Sequence, residues 1–185
     1  MKEAPQNQEH LKRLILQAKE GDAASFEEVY NSYYTPLYRY IATRIKNKSD
    51  AEDMTQVVFM KVWQSLPRWN EDHSSPLSFF FTVARNTLID HFRKNAHAEI
   101  VSDEVVEIFG ERQSDTEEES AARERAEVIR DAVSHLSSEQ QEIIRLFYVN
   151  DMTYSEIAEI TGKREDAIRQ IHSRAIKKLR EIYVQ

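Results

Sequence analysis

Residues 153–179 read TYSEIAEITGKREDAIRQIHSRAIKKL, and the fold follows from them. Thr153 and Glu156 stand at the spacing of a capping box, in which hydroxyl and carboxylate each satisfy a backbone N–H of the first turn. Met152 and Ile157 flank the box as a hydrophobic staple. The helix they open is short and stops at Thr161-Gly162, where glycine supplies the left-handed residue of a helix end. A longer helix is predicted over 165–183. Its apolar residues Ile168, Ile171, Ala175, Leu179 and Ile182 recur with a 3.6-residue period. A capped helix, a glycine turn and a longer basic helix predict a helix-turn-helix, whose second helix enters the DNA major groove.

The polar side of that second helix carries Arg169, Gln170, Ser173, Arg174 and Lys177. Arginine grips guanine with two hydrogen bonds and glutamine reads adenine. Lys177, Lys178 and Arg180 suit phosphates, which position a protein without specifying sequence. From Lys163 to Arg180 there are seven bases and two acids, a sum of +5. Upstream, Ser137 or Ser138 can cap a helix containing Ile143, Ile144 and Phe147, which Asn150-Asp151 ends.

Further upstream the charge reverses. Residues 97–121 hold nine acids against Arg112, a sum of −8, and lack a sustained helical period. This stretch reads as an acidic linker between an N-terminal domain, 9–96, and a C-terminal one, 122–184. A short apolar patch, Val105, Val106, Ile108 and Phe109, interrupts it. The chain's net charge of −7 is therefore local, and the remainder sums to +1. Three glycines and four prolines in 185 residues argue against a turn-rich β fold. The expectation is an all-α chain of two small helical domains. The absence of cysteine excludes disulfides and thiolate chemistry. No run approaches the ~20 apolar residues of a membrane span, and residues 1–10 are polar, so a cytoplasmic location is expected.

The N-terminal part reads as helices. Leu11, Leu14, Ile15 and Ala18 form one stripe, which Gly21-Asp22 ends. Phe26, Val29, Tyr30 and Tyr33 form the next. Thr35-Pro36 reads as a cap with proline at the first position of a new helix. Ser49 to Glu52 fits a capping box for a helix with Met54, Val57, Val58, Val62 and Leu66 on one side. Asp53, Gln56 and Phe59 lie off the Met54/Val58 stripe. The acids at 50, 52 and 53 suit a helix dipole better than a metal, since no histidine stands at ligand spacing.

The last helix of this half, SFFFTVARNTLIDHFRK over 78–94, is predicted to turn Phe80, Val83, Ala84, Leu88 and Phe92 to the core. Three consecutive phenylalanines do not all face one core on a helix, so at least one should be exposed. An exposed aromatic beside Arg85, Asn86 and Arg93 suits single-stranded DNA, which needs stacking and phosphate contacts. The competing reading is a helix buried on two sides, with Asp90 paired to Lys94. No phosphate loop, His-x-x-x-His or Gly-x-Ser-x-Gly is present.

In this order, DAEDMTQVVFMKVW (50–63), FFFTVARNTLIDHFRK (79–94) and LSSEQQEIIRLFYVNDMTYSEIAEITGK (136–163) with SRAIKKLR (173–180) resemble the extracytoplasmic function family of sigma factors, within the sigma-70 family. The resemblance implies a factor that binds core RNA polymerase, directs it to promoters and helps melt the −10 region, with no cofactor. It implies polymerase contacts at Asp53, Gln56, Val58 and Phe59. It implies contacts to the opened −10 strand at Trp69, Phe80, Arg85, Asn86 and Arg93, with the loop 69–75. It implies contacts to the duplex −35 element at Arg164, Arg169, Gln170, Ser173, Arg174 and Lys177. Leu136, Ile143, Ile144 and Phe147 would help hold the polymerase flap, and the acidic linker would thread a basic channel. Anti-sigma proteins commonly regulate the family. The chain departs from the family pattern at Val57, at the three phenylalanines, at Glu165-Asp166-Ala167 and at Ile171. Acids at the start of the recognition helix would repel phosphate there. The alternatives are a helix-turn-helix regulator that binds duplex DNA alone and a protein-binding decoy.

Overall fold

The computed structural model describes residues 5–45, 47–70, 75–94, 128–129 and 131–183, among which every regular element is helical. The acidic stretch 97–121 and positions 71–74 lie outside the described residues. Helix α1 is Pro5–Lys19 and buries Leu11, Leu14, Ile15 and Ala18, as their spacing requires. Gly21, at φ 99°, reverses the chain, and the Asp22 carboxylate caps α2 (Ala23–Ala42) by accepting from Ala24 N at 3.1 Å.

Helix α2 runs straight through Pro36, so the new helix expected at Thr35-Pro36 does not start there. An interior proline removes a backbone bond and costs about 3 kcal/mol. Burial on both sides of it offsets this. Val29, Tyr33, Leu37, Tyr40 and Ile41 form one buried stripe across the proline. Helix α3 (Lys48–Ser65) also begins earlier than its expected box. Asn47 is the cap, accepting from Ser49 N at 2.8 Å and Asp50 N at 3.3 Å. A 3-10 turn, Leu66–Arg68, leads towards α4 (Pro76–Lys94), where Ser75 Oγ accepts from Ser78 N at 3.1 Å.

The C-terminal half follows the local code closely. Ser137 and Gln140 form a capping box for α5 (Ser138–Ile144), which widens into a π turn at Arg145–Val149. Thr153 and Glu156 form the second box, at the start of α6 (Tyr154–Thr161). Gly162, at φ 68°, closes α6, and α7 (Glu165–Tyr183) follows. Ile168 and Ala175 are buried, while Ile171 and Leu179 are half-buried.

The two halves pack together. Helix α4 contacts α2 and α3 as well as α6, and the π turn lies against α2. Ile143, Leu146, Met152, Ile157, Ile160 and Ile168 join the same apolar cluster as the N-terminal core. This packing accounts for the three phenylalanines. Phe80 and Phe81 are both fully buried and Phe79 is half-buried, because α4 is covered from two sides. The aromatic left at the surface is Phe92, 40% exposed, which its stripe had placed in the core. A smaller cluster of Leu136, Ile144 and Ala175 seats α5 on α7.

Candidate nucleic-acid interface

The exposed side of α7 brings Arg169, Gln170, Ser173, Arg174 and Lys177 onto one surface, with Arg164 just ahead of it. Burial of Ile168 and Ala175 sets the roll of the helix, and that roll turns these side chains outward. Two of the arginines are engaged within the chain. Arg169 Nε donates to Glu165 Oε1 at 3.2 Å, and its guanidinium lies over the Tyr154 ring at 4.6 Å. Arg164 donates to Asp166 at 3.5 Å. Glu165 and Asp166 are favoured in the first turn of α7 by the helix dipole, yet they draw off cations that face outward. Gln170, Ser173, Arg174 and Lys177 project without such a carboxylate partner among the described residues.

Behind this face lies an aromatic cluster that periodicity did not single out. The His172 ring stacks on Tyr148 at 5.7 Å and lies tilted against Phe147 at 4.7 Å, and its Nδ1 is 3.2 Å from the Tyr154 hydroxyl. Burial lowers the His172 pKa, because the charged ring would lose hydration there. The available sequence signal was three aromatics within eight residues, Phe147, Tyr148 and Tyr154, one turn element away from a half-buried histidine.

On α4, Asn86 is exposed and Arg85 is half-buried beside it. Arg93 is exposed and pairs with Asp90 at 3.0 Å, an i,i+3 contact in place of the expected Asp90–Lys94 pair. Trp69 and Phe80 are inside, at 3% and 0% exposure, and present no stacking surface. The Trp69 carbonyl accepts from Lys19 Nζ at 3.0 Å, which ties the turn after α3 to α1.

On α3, Asp53 and Gln56 are exposed, whereas Val58 and Phe59 belong to the core. Phe59 lies 4.4 Å from Tyr30 and 6.1 Å from Phe80, ring to ring. The reason is the angle between residues. Phe59 is one position from Val58, and α2 and α4 together cover an arc wide enough for both. The outward face instead carries Val57, Met60 and Trp63, at 41%, 62% and 39% exposure, spaced three apart. An apolar row rimmed by Asp53 and Gln56 suits a protein partner better than water. Among the described residues no group of three or more His, Asp or Glu could hold a metal ion. No described helix is long and apolar enough to cross a membrane.

The arrangement has known counterparts. Residues 29–98 match the family described as Sigma-70 region 2, and residues 132–181 match Sigma-70, region 4. The chain is 28% identical over 160 residues to the ECF RNA polymerase sigma factor SigM of Bacillus subtilis, covering 86% of this chain and 95% of that one. It is also 28% identical over 167 residues to the ECF RNA polymerase sigma factor BldN of Streptomyces coelicolor, covering 90% of this chain and 63% of that one. The fold is similar to CnrH in its complex with the cytosolic domain of CnrY, with a TM-score of 0.71 at 20% identity, covering 94% and 97% of the two chains. It is similar also to RpoE in its complex with the anti-sigma factor NepR from Bartonella quintana, with a TM-score of 0.65 at 23% identity, covering 85% and 96%. A lone duplex-binding regulator has no use for the region 2 half. With both sigma regions matched in order, the chain belongs to the extracytoplasmic function group of RNA polymerase sigma factors, in the sigma-70 family.

Proposed function

We propose that the chain binds core RNA polymerase through the outward face of α3, where Asp53 and Gln56 rim the apolar row Val57, Met60 and Trp63. Val58 and Phe59 support that face from beneath. Residues 9–96 form the polymerase- and −10-binding domain, 97–121 the linker and 122–184 the −35-binding domain. Asn86 and Arg85, with Arg93 farther along α4, contact the opened −10 strand, while Trp69 and Phe80 hold the shape of that surface. Gln170, Ser173, Arg174 and Lys177, with Arg164 and Arg169, meet the −35 duplex. An anti-sigma protein is a further partner in this reading, since RpoE and CnrH are each seen in complex with another protein.

The observation that carries the reading is the pairing of two surfaces on one chain: an exposed apolar row on α3 and an exposed basic face on α7. The test is co-elution of the full chain with bacterial core RNA polymerase on a sizing column. A stoichiometric complex that protects a promoter at both −35 and −10 supports the assignment. Duplex binding without polymerase association would overturn it.

A further inference from the structure

The contact between the two halves contains one carboxylate surrounded by cations. Glu142, on α5, accepts from the Tyr40 hydroxyl at 2.6 Å and pairs with Arg44, both on or beside α2. Arg85 of α4 stands 3.8 Å from the same carboxylate. The Arg44 guanidinium also lies over the Tyr40 ring at 4.2 Å. The Arg44 and Glu142 side chains are 11% and 13% exposed, so solvent screens them little. A third guanidinium, Arg145, is half-buried close by and donates to the neutral Gln141 at 2.8 Å. Burial and then the charge of Arg44 lower its pKa to about 10, which leaves it cationic at neutral pH. Two guanidiniums thus share the Glu142 carboxylate at this contact, with the charge of Arg145 close to Arg44.

We propose that Tyr40, Arg44 and Arg85 form an anion subsite for a backbone phosphate of single-stranded DNA, and that Glu142 fills this subsite while the two halves are packed together. The geometry suits it. Two guanidiniums and a phenol hydroxyl converge on one oxygen-bearing group, and the planar donors of arginine match phosphate as well as carboxylate. A backbone phosphodiester carries the same single charge over two oxygens as the Glu142 carboxylate, so it can take the place of that carboxylate among the same donors. The three cradle residues belong to the N-terminal half, whereas Glu142 belongs to the C-terminal half. Parting the halves therefore empties the cradle without disturbing it. Arg85 is next to Asn86, so a strand laid along α4 brings a phosphate past it. The proposal rests on the −10 strand being the ligand of α4, and adds Tyr40 and Arg44 to that surface with Glu142 as an internal competitor.

The experiment measures binding of a labelled thymidine oligonucleotide to the full chain, without polymerase, by fluorescence anisotropy across a salt series. Glu142→Gln keeps the side-chain shape and removes the charge. It is expected to bind about tenfold tighter than the parent, the scale of one charge-assisted contact. Adding Arg85→Gln or Arg44→Gln should abolish the gain and lower the salt slope by about 0.7, one single-strand phosphate. Tyr40→Phe, which keeps the ring and loses only the donor, should weaken strand binding in the Glu142→Gln background; if Glu142→Gln loses helicity, Glu142→Ala takes its place and is expected to show the same gain. Unchanged strand affinity in Glu142→Gln, or a gain that survives loss of both arginines, overturns the subsite. Co-elution of the parent with core polymerase is read separately, so failure of the sigma reading is distinguishable from failure of the subsite.

Discussion

The guanidinium of Arg169 lies over the ring of Tyr154, 4.6 Å from its centroid, and Glu165 one turn back accepts from its Nε at 3.2 Å. This exposed arginine of α7 is therefore held by its own chain. The acid that favours the start of α7 also competes for a cation proposed to meet the −35 duplex.

Replacing Glu165 with glutamine should release Arg169. Holoenzyme carrying Glu165→Gln is expected to bind −35 duplex about threefold tighter, the scale of an exposed ion pair. If Arg169 then reaches a phosphate, the salt dependence steepens by about 0.9. Anisotropy with a labelled promoter duplex reads both quantities. Unchanged affinity would mean that Arg169 stays on Tyr154.

Phe59 and Gln56 should separate stability from partner binding. Phe59 is 3% exposed and sits among Phe26, Tyr30 and Phe80, so Phe59→Ala is expected to cost about 4 kcal/mol in a denaturant melt. Gln56 is exposed, and Gln56→Ala should change stability by less than about 0.5 kcal/mol while weakening polymerase association. If Gln56→Ala co-elutes with polymerase like the parent, the α3 face is assigned to the wrong partner.

His172 should make the C-terminal half sensitive to acid. Burial lowers its folded pKa below the ordinary value of 6.5. The unfolded chain then binds more protons than the folded one in that range, so stability falls as pH drops below 6.5 through the folded pKa. Thermal melts at about pH 7.5 and 5.5 should differ more for the parent than for His172→Phe, which keeps a ring against Phe147 and Tyr148. Equal pH dependence in both would show that the ring titrates as it does in water.

Gly162 tests the backbone alone. A Cβ built there meets nothing within 4 Å, yet φ is 68°. Gly162→Ala should therefore cost about 1 kcal/mol from conformation and nothing from crowding. A loss several times larger in a thermal melt would point to a neighbour that closes on the turn.

The helix-turn-helix was legible because its signals are local. The Thr153–Glu156 box, the Gly162 turn and the stripe from Ile168 to Ile182 each act within four residues, a range over which a chain carries its own instructions. The cap at Ser137 was legible for the same reason. The exposed side of α7 followed, because the buried stripe dictates which side faces out. The start of α3 was less legible. Asn47 and Ser49 are both good caps, and only the backbone path chooses between them.

The sequence by itself determined the all-α class, the order of the helices and the outward face of α7, because those depend on period and capping. Tertiary structure alone decided that α2 continues through Pro36, that Phe80 and Phe81 are both inside, and that Phe59 supports the α3 face from below. In each case a second element covers the residue from a direction that one helix's period does not encode. The cradle around Glu142 is the clearest instance. Tyr40 and Glu142 are 102 residues apart, and only the packing of α5 against α2 and α4 brings their charges and donors together.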